Sequence, residues 1–258
     1  MTLSVIIITK NEAHNIVACL NSTSFADQWI VVDSGSTDGT AELAQQAGAM
    51  VVHRPDWQGF GIQKNRALDF ATADWVLSID ADERVTPALA NEIQKAMASA
   101  SSDGFDIRTV TAFYGRPVRF SEYYANTQSI RLFKRSCGRF TDALVHENIV
   151  LNSTRRGTLK HPLQHYSYED PDTYLRKVNQ YASLSAQMLF DRGKRARFGA
   201  AVGHALAAFF KSYVIKFGFL DGQAGVMIAL LLAETTYHKY FKLMLLSEAD
   251  QRKHTRQK

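Results

Sequence analysis

The chain reads as an α/β protein: a doubly wound, mostly parallel sheet with a C-terminal helical extension. Three observations predict this. Short β-branched apolar runs alternate with segments of helical spacing along the first hundred residues. Three of the four runs lead straight into polar or acidic residues. Beyond residue 168 the pattern changes to long stretches of helical spacing.

Leu3–Thr9 is a continuous β-branched run, suited to a strand buried on both faces. Ile16, Val17 and Leu20 give Glu12–Leu20 helical spacing. A second strand, Trp29–Val32, ends at Asp33 and enters the loop Ser34-Gly35-Ser36-Thr37-Asp38-Gly39-Thr40, rich in glycine and small polar residues. A helix over Ala41–Ala47 closes at Gly48, and Met50–His53 is a third strand. The loop holding Gly59 and Gly61 precedes a helix over Gln63–Ala71. Trp75–Ile79 is a fourth strand ending at Asp80, and Pro87 opens a helix to Ala98. Such repetition implies right-handed crossovers, with ligands bound beyond the carboxyl ends of the strands. Residues 1–168 are expected to form the catalytic domain and 169–258 a basic, amphipathic helical region.

With 258 residues, 46% hydrophobic and 21% charged, the composition suits a globular fold and excludes a disordered or collagen-like chain. Two cysteines, Cys19 and Cys137, exclude a disulfide framework and a four-thiolate zinc site. Met1–Thr9 has no basic leader, and its apolar run is too short for a signal core, so reduced thiols in the cytoplasm are expected. Residues 1–150 carry 13 Lys and Arg against 17 Asp and Glu, whereas 151–258 carry 17 against 8. A basic second half points to an anionic partner, either nucleic acid or an anionic membrane surface.

The informative feature is the polar edge formed by Thr9-Lys10-Asn11-Glu12, Asp33 and Asp80-Ala81-Asp82. A lone acid after a strand commonly caps the next helix, but three such segments at one edge favour a binding site. Asp80 and Asp82 are spaced to share a hard divalent cation, Mg2+ or Mn2+, with a diphosphate that supplies the remaining oxygens. The bland reading makes Asp82 and Glu83 the start of the helix ahead of Pro87. Asp33 is placed to accept a base imide N–H, or to close a turn before Ser-Gly. Lys64 and Arg66 are in place to reach diphosphate oxygens, or are two solvated cations at a helix start. No phosphate-loop, dinucleotide or nucleophile-elbow motif is present.

Val5-Ile6-Ile7-Ile8-Thr9-Lys10-Asn11-Glu12, Val31-Val32-Asp33-Ser34-Gly35-Ser36-Thr37-Asp38-Gly39-Thr40 and Leu77-Ser78-Ile79-Asp80-Ala81-Asp82-Glu83, in that order, resemble the donor-site motifs of family 2 glycosyltransferases over the first 150 residues. The resemblance implies a GT-A fold, a nucleotide-diphosphate-sugar donor, a divalent cation and inversion at the anomeric carbon. It implies nucleotide-sugar contacts from Thr9 and Glu12, the base at Asp33, ribose or metal at Asp80, and metal at Asp82. One departure is visible: many relatives carry Pro-Thr-Tyr before the Asn, where this chain has Ile8-Thr9-Lys10.

Val145-His146-Glu147, after Ile130-Arg131-Leu132-Phe133-Lys134-Arg135, resembles the acceptor segment of a bacterial subgroup that extends lipopolysaccharide core or similar envelope sugars. Phe219-Leu220-Asp221-Gly222-Gln223-Ala224-Gly225 is similar to that subgroup's C-terminal region. A UDP-sugar donor, with glucose favoured, and a lipid-linked glycan acceptor are implied by this resemblance alone.

Inversion requires a general base on the acceptor side, because a hydroxyl is a poor nucleophile at neutral pH. Glu147 is assigned that role, with Asp142 in reserve and His146 orienting Glu147 or touching the acceptor. His161 and His165 stand four apart, but Pro162 interrupts them, so a shared metal site is not expected.

The C-terminal stretches Asp172–Phe190, Phe198–Leu220 and Gly222–Leu246 have helical spacing. His204, Lys211 and Lys216 interrupt the second, and Glu234 ends the apolar run of the third, so neither reads as a span. Lys and Arg beside Phe, Leu and Tyr fit helices lying on an anionic leaflet, at the inner face of the cytoplasmic membrane. Packing on the sheet domain or an oligomer interface is the plain alternative. The aromatics are not arrayed with the cations, which argues against nucleic acid. Two other functions stay open at this stage: a sugar-1-phosphate nucleotidyltransferase, and a non-catalytic nucleotide-sugar-binding membrane scaffold.

Overall fold

The computed structural model describes residues 1–99, 101–113, 116–118, 120, 127–142, 147–168 and 171–256. The chain forms two compact units, residues 1–110 with 126–167, and residues 111–125 with 168–258.

The first unit is built on a sheet whose parallel part has strand order β3 (Met50–His53), β2 (Gln28–Asp33), β1 (Leu3–Thr9), β4 (Trp75–Ser78). Alternate residues of these strands face opposite layers, because strand side chains alternate. Val5, Ile7, Val31, Trp75 and Leu77 pack with α1 (Ile16–Ser22), α2 (Thr40–Gln46) and α4 (Pro87–Ser99), through Ile16, Leu20, Ala44, Leu89, Ile93 and Met97. Ile6, Ile30, Val32 and Val76 face the other way, onto Ala67 and Leu68 of α3 (Phe60–Asp69). Helices on both faces explain why these strands read as unbroken apolar runs.

Beyond β4 most strand pairs are antiparallel, so the sheet is mixed where a mostly parallel one is expected. The order continues through β8 (Thr127–Lys134), β6 (Gly104–Phe113), β12 (Leu163–Tyr168) and β5 (Glu83–Arg84). The β4–β8, β8–β6 and β12–β5 pairs are antiparallel, while β11 (Arg156–Thr158) adds in parallel to β6. The fold class remains α/β. Among the described residues of these connections α4 is the only helix between strands, and strands joined without a crossover helix pair antiparallel. A separate hairpin pairs β9 (Gly138–Phe140) with β10 (Ile149–Leu151).

Helix α1 starts four residues later than its spacing predicts. The backbone N–H groups of Asn11, Glu12 and Ala13 donate to Ser36 Oγ, Thr40 Oγ1 and Asp38 Oδ2. These side chains of the β2–α2 loop hold the backbone ahead of the helix, and a turn with the Asn15 and Ile16 N–H groups on the Glu12 carbonyl leads into it. Asn11 Oδ1 in turn accepts from the Thr37 N–H, at 2.9 Å. The first two motifs are therefore hydrogen-bonded to one another. Gly35 and Gly39 both have φ +87°, a conformation that favours glycine.

In the second unit, α5 (Pro171–Asp191), α6 (Phe198–Phe210) and α7 (Gln223–Arg256) follow in order, with a π-helical turn at Lys211–Ile215 and a 3-10 turn at Gly218–Asp221. The short β7 (Arg116–Pro117) pairs with Ala112 and Phe113. Phe113 and Val118 pack on Ala224 and Ile228. Among the described residues one helix, Phe198–Ile215, is long and apolar enough to cross a membrane by length and composition. The interruption by His204 and Lys211 therefore does not disqualify it on those grounds.

Cys19, on α1, is fully buried in the core, and burial pushes its thiol far up in pKa. Cys137 is half-exposed at the head of β9.

Asp103 ties the antiparallel side together. Its carboxylate accepts from Lys134 Nζ at 2.8 Å, Arg155 Nη2 at 2.6 Å and Ser153 Oγ at 2.5 Å. Those donors, Lys134 first, hold its pKa well below the usual carboxylate range. A depressed pKa stabilises the fold above the unfolded value, near about 3.9, and the gain is lost as pH falls through the folded value. Asp103→Asn is thus expected to melt below wild type at pH 7, with the gap closing below about pH 4. Melting curves across pH check this; a constant gap would refute it.

Candidate functional site

The carboxyl ends of β2 and β4 and the first turn of α3 lie on one edge of the parallel strands, where α/β sheets bind ligands. A cavity of about 330 Å3 opens beside this edge, lined by Lys64, Ser78, Asp80, Arg131, Phe140, Glu147 and neighbouring residues of β8, β10 and β11.

Its centre is Lys64. The ammonium lies 3.1 Å from Asp80 Oδ1 and 2.7 Å from Glu147 Oε1, and the side chain is 7% exposed. Lys64 is thus not the solvated cation of the plain alternative: it is buried and has two anionic partners. Burial acts to lower the Lys64 pKa, but Asp80 and then Glu147 outweigh it and hold it above the ordinary value. The next residue but one, Arg66, turns outward onto Asp56. Between them, Asn65 clamps the backbone of Phe140: its Nδ2 donates to the carbonyl and its Oδ1 accepts from the N–H, each at 3.0 Å. That clamp fixes α3 against β9.

Asp80 is held from the other side by Arg131, 3.6 Å from its Oδ2. Partial burial would raise the Asp80 pKa, but Lys64 and Arg131 hold it well below the usual carboxylate range. Arg131 also donates to Glu83 Oε1 at 2.9 Å, and Glu83 Oε2 accepts the Asp80 N–H at 2.8 Å. Burial pushes Glu83 up to about 7 against the opposing Arg131 charge. Glu83 belongs to β5, not to the helix before Pro87. The sequence analysis missed Arg131 and Glu83 as site residues. An arginine between Ile130 and Leu132 in a strand carries a faint signal, legible only once its buried acidic partners are known.

Asp82 faces elsewhere. Its Oδ2 lies 3.0 Å from His165 Nε2 on β12. Burial lowers the imidazole pKa, but Asp82 more than compensates, bringing it up to about 9. The two aspartates of the motif therefore engage different partners. His161 sits on Glu92 at 2.7 Å, so the two histidines have separate partners. Among the described residues no group of three or more His, Cys, Asp or Glu side chains gathers as a metal cage. Asp82 and Asp80, two residues apart, offer carboxylate oxygens alone. That sparse set fits a Mg2+ or Mn2+ ion completed by diphosphate oxygens rather than one caged by protein.

At the end of β2, Asp33 is 2% exposed and accepts the N–H groups of Gly35 and Ser36 at 3.0 and 3.1 Å, and the Ser36 hydroxyl. It closes its own turn while keeping acceptor capacity in a four-lone-pair carboxylate. Thr9 pairs with Asp33 across the strands, and its Oγ1 is buried with no hydrogen-bond partner, as is Ser78 Oγ. Glu12 accepts from Asn15 Nδ2 at 2.9 Å. Asp142 follows β9, and His146 lies outside the described residues.

Comparison with known proteins follows the same lines. The profile of "Glycosyl transferase family 2" matches residues 4–166. An uncharacterized glycosyltransferase of Rickettsia bellii is 32% identical over 259 residues, covering 95% of this chain and 87% of the relative. The lipopolysaccharide core biosynthesis glycosyltransferase LpsC of Rhizobium meliloti is 30% identical, covering 93% of each chain. Among solved structures, Mycobacterium tuberculosis glucosyl-3-phosphoglycerate synthase, in complex with Mn2+, UDP and phosphoglyceric acid, is 27% identical over 43% of each chain, with a TM-score of 0.36.

Replacing Asn65 by Ala leaves both Phe140 backbone groups buried and unpaired. A loss of about 2–4 kcal/mol is expected, read from the urea midpoint.

Proposed function

This chain belongs to glycosyltransferase family 2 and is a transferase, and we propose that it moves a hexose, glucose foremost, from a UDP-sugar to a lipopolysaccharide-core or similar envelope glycan. The proposed acceptor is carried on a lipid at the cytoplasmic face of the inner membrane. Family membership sets aside a nucleotidyltransferase or a non-catalytic scaffold. The named role of the Rhizobium meliloti relative in core biosynthesis supports the acceptor class.

One observation carries the mechanism: a single ammonium, Lys64, joins the motif carboxylate Asp80 to the acceptor-side carboxylate Glu147. In the proposed reaction Glu147 accepts the proton of an acceptor hydroxyl. The oxygen bonds to the anomeric carbon as the bond to the diphosphate breaks, and that electron pair leaves with the diphosphate. Lys64 is positioned to follow negative charge onto the diphosphate, which frees Glu147 from its ion pair when donor arrives. Asp33, beside the unpartnered Thr9 hydroxyl, would receive the base. A divalent cation held by Asp80 and Asp82 would neutralise charge on the departing diphosphate.

The test is a panel of UDP-, GDP- and dTDP-sugars with Mn2+ or Mg2+ and a chelator control. UDP release from UDP-sugars alone, lost with chelator, is expected. Glu147→Gln should lower transfer about 10²–10⁴-fold while UDP-sugar binding, followed by calorimetry, persists. Equal transfer by the variant would remove Glu147 from this role.

A further inference from the structure

Helix α6 and the turn after it leave their apolar face uncovered. Phe198, Leu206, Phe210, Phe217, Phe219 and Leu220 are each 46–61% exposed, on a helix of only 11% burial over its apolar window. Contiguous exposed hydrophobic surface of this kind marks an interaction site. The charge around it is one-sided. Residues 192–220 hold Arg192, Lys194, Arg195, Arg197, Lys211 and Lys216, and no Asp or Glu. The first four sit at the start of α6 and the last two bracket its π-helical end.

The turn itself holds a strained aromatic. Phe217 adopts φ +58°, a left-handed conformation that costs a bulky residue energy and suits Gly or Asn. The surrounding backbone enforces it: a Cβ on Gly225 would lie 1.7 Å from the Gly218 carbonyl oxygen, so the turn is clamped directly onto the first turn of α7. An aromatic kept where a small residue would be more stable points to a use for its side chain.

We propose that the exposed face of α6 and the Phe217–Leu220 turn lie in the headgroup plane of an anionic lipid membrane, the apolar side chains buried among acyl chains and Arg192, Lys194, Arg197, Lys211 and Lys216 among the headgroups. The cations and the absence of acids select an anionic surface over a second copy of the chain, whose matching face would repel. A transmembrane arrangement of α6 is disfavoured by its partner. Helix α7 runs back along α6, with Arg195 on Asp250, His204 stacked on Tyr240, and Gly218 against Gly225. A crossing α6 would draw Glu234, Lys239 and Lys242 of α7 to bilayer depth, where charges are costly. This deepens the membrane side of the function proposed above and rests on it only for which membrane is meant. Lipid binding needs no sugar nucleotide, so the two can fail separately.

The test is cosedimentation of the full chain with phosphatidylcholine vesicles, with and without phosphatidylglycerol. Wild type is expected to pellet with anionic vesicles only, and to be released by salt. The double variant Phe219→Asp, Leu220→Asp should lower the partition about tenfold or more, and Lys211→Gln and Lys216→Gln about fivefold each. Phe217→Asn is the decisive control: Asn suits the left-handed backbone, so its melting temperature should equal or exceed wild type while its vesicle binding falls. Equal binding to neutral vesicles, undiminished binding by Phe217→Asn, or no binding by wild type would overturn the proposal. So would a vesicle-free dimer that the Phe219, Leu220 double variant splits, since the surface would then serve a second copy.

Discussion

A lysine ammonium taken out of water between two carboxylates is the constraint around which the site is arranged. Lys64 cannot be buried alone, because desolvating a charge costs far more than the fold can spare. Asp80 and Glu147 compensate it together, so that either one still pairs the ammonium if the other is neutralised. The same geometry dictates what surrounds it. Asp80 needs Arg131, Arg131 needs Glu83, and Glu83 returns to the Asp80 backbone, so the cluster closes on itself. Asn65, next to Lys64, then fixes the distance between helix α3 and the β9 strand. A site held this way is organised before any ligand arrives, and an incoming anion meets a cation already in place.

The parallel half of the fold was legible because its signals are local. Each strand from Leu3 to Ser78 is an apolar run of the right length, and the glycines at 35 and 39 stand where the loop turns left-handed. The antiparallel half was not, since strand direction depends on the path of the connections rather than on residue pattern. The late start of α1 was also hidden. The side-chain acceptors that hold the chain ahead of it, on Ser36, Asp38 and Thr40, lie more than twenty residues along the chain.

Site residues divide in the same way. Asp33, Asp80 and Asp82 were visible as acids at strand ends, and Lys64 as a cation after a glycine-rich loop. Their partners were not. That Asp80 turns to Lys64 while Asp82 turns to His165 follows from β5 and β12 lying side by side, a pairing across some eighty residues. Arg131 and Glu83 acquire meaning only through each other. The C-terminal helices showed their composition plainly, but the strained Phe217 backbone has no trace in the sequence.

The contrast between the two thiols gives the molecule a native reporter position. Cys19, sealed in the core and held protonated, is inert toward alkylating reagents, whereas Cys137 is accessible and begins the strand that leads to Phe140 on the cavity wall. A fluorophore attached at that single position, with no engineering of the chain, would sit next to the pocket and register occupancy as a change in emission.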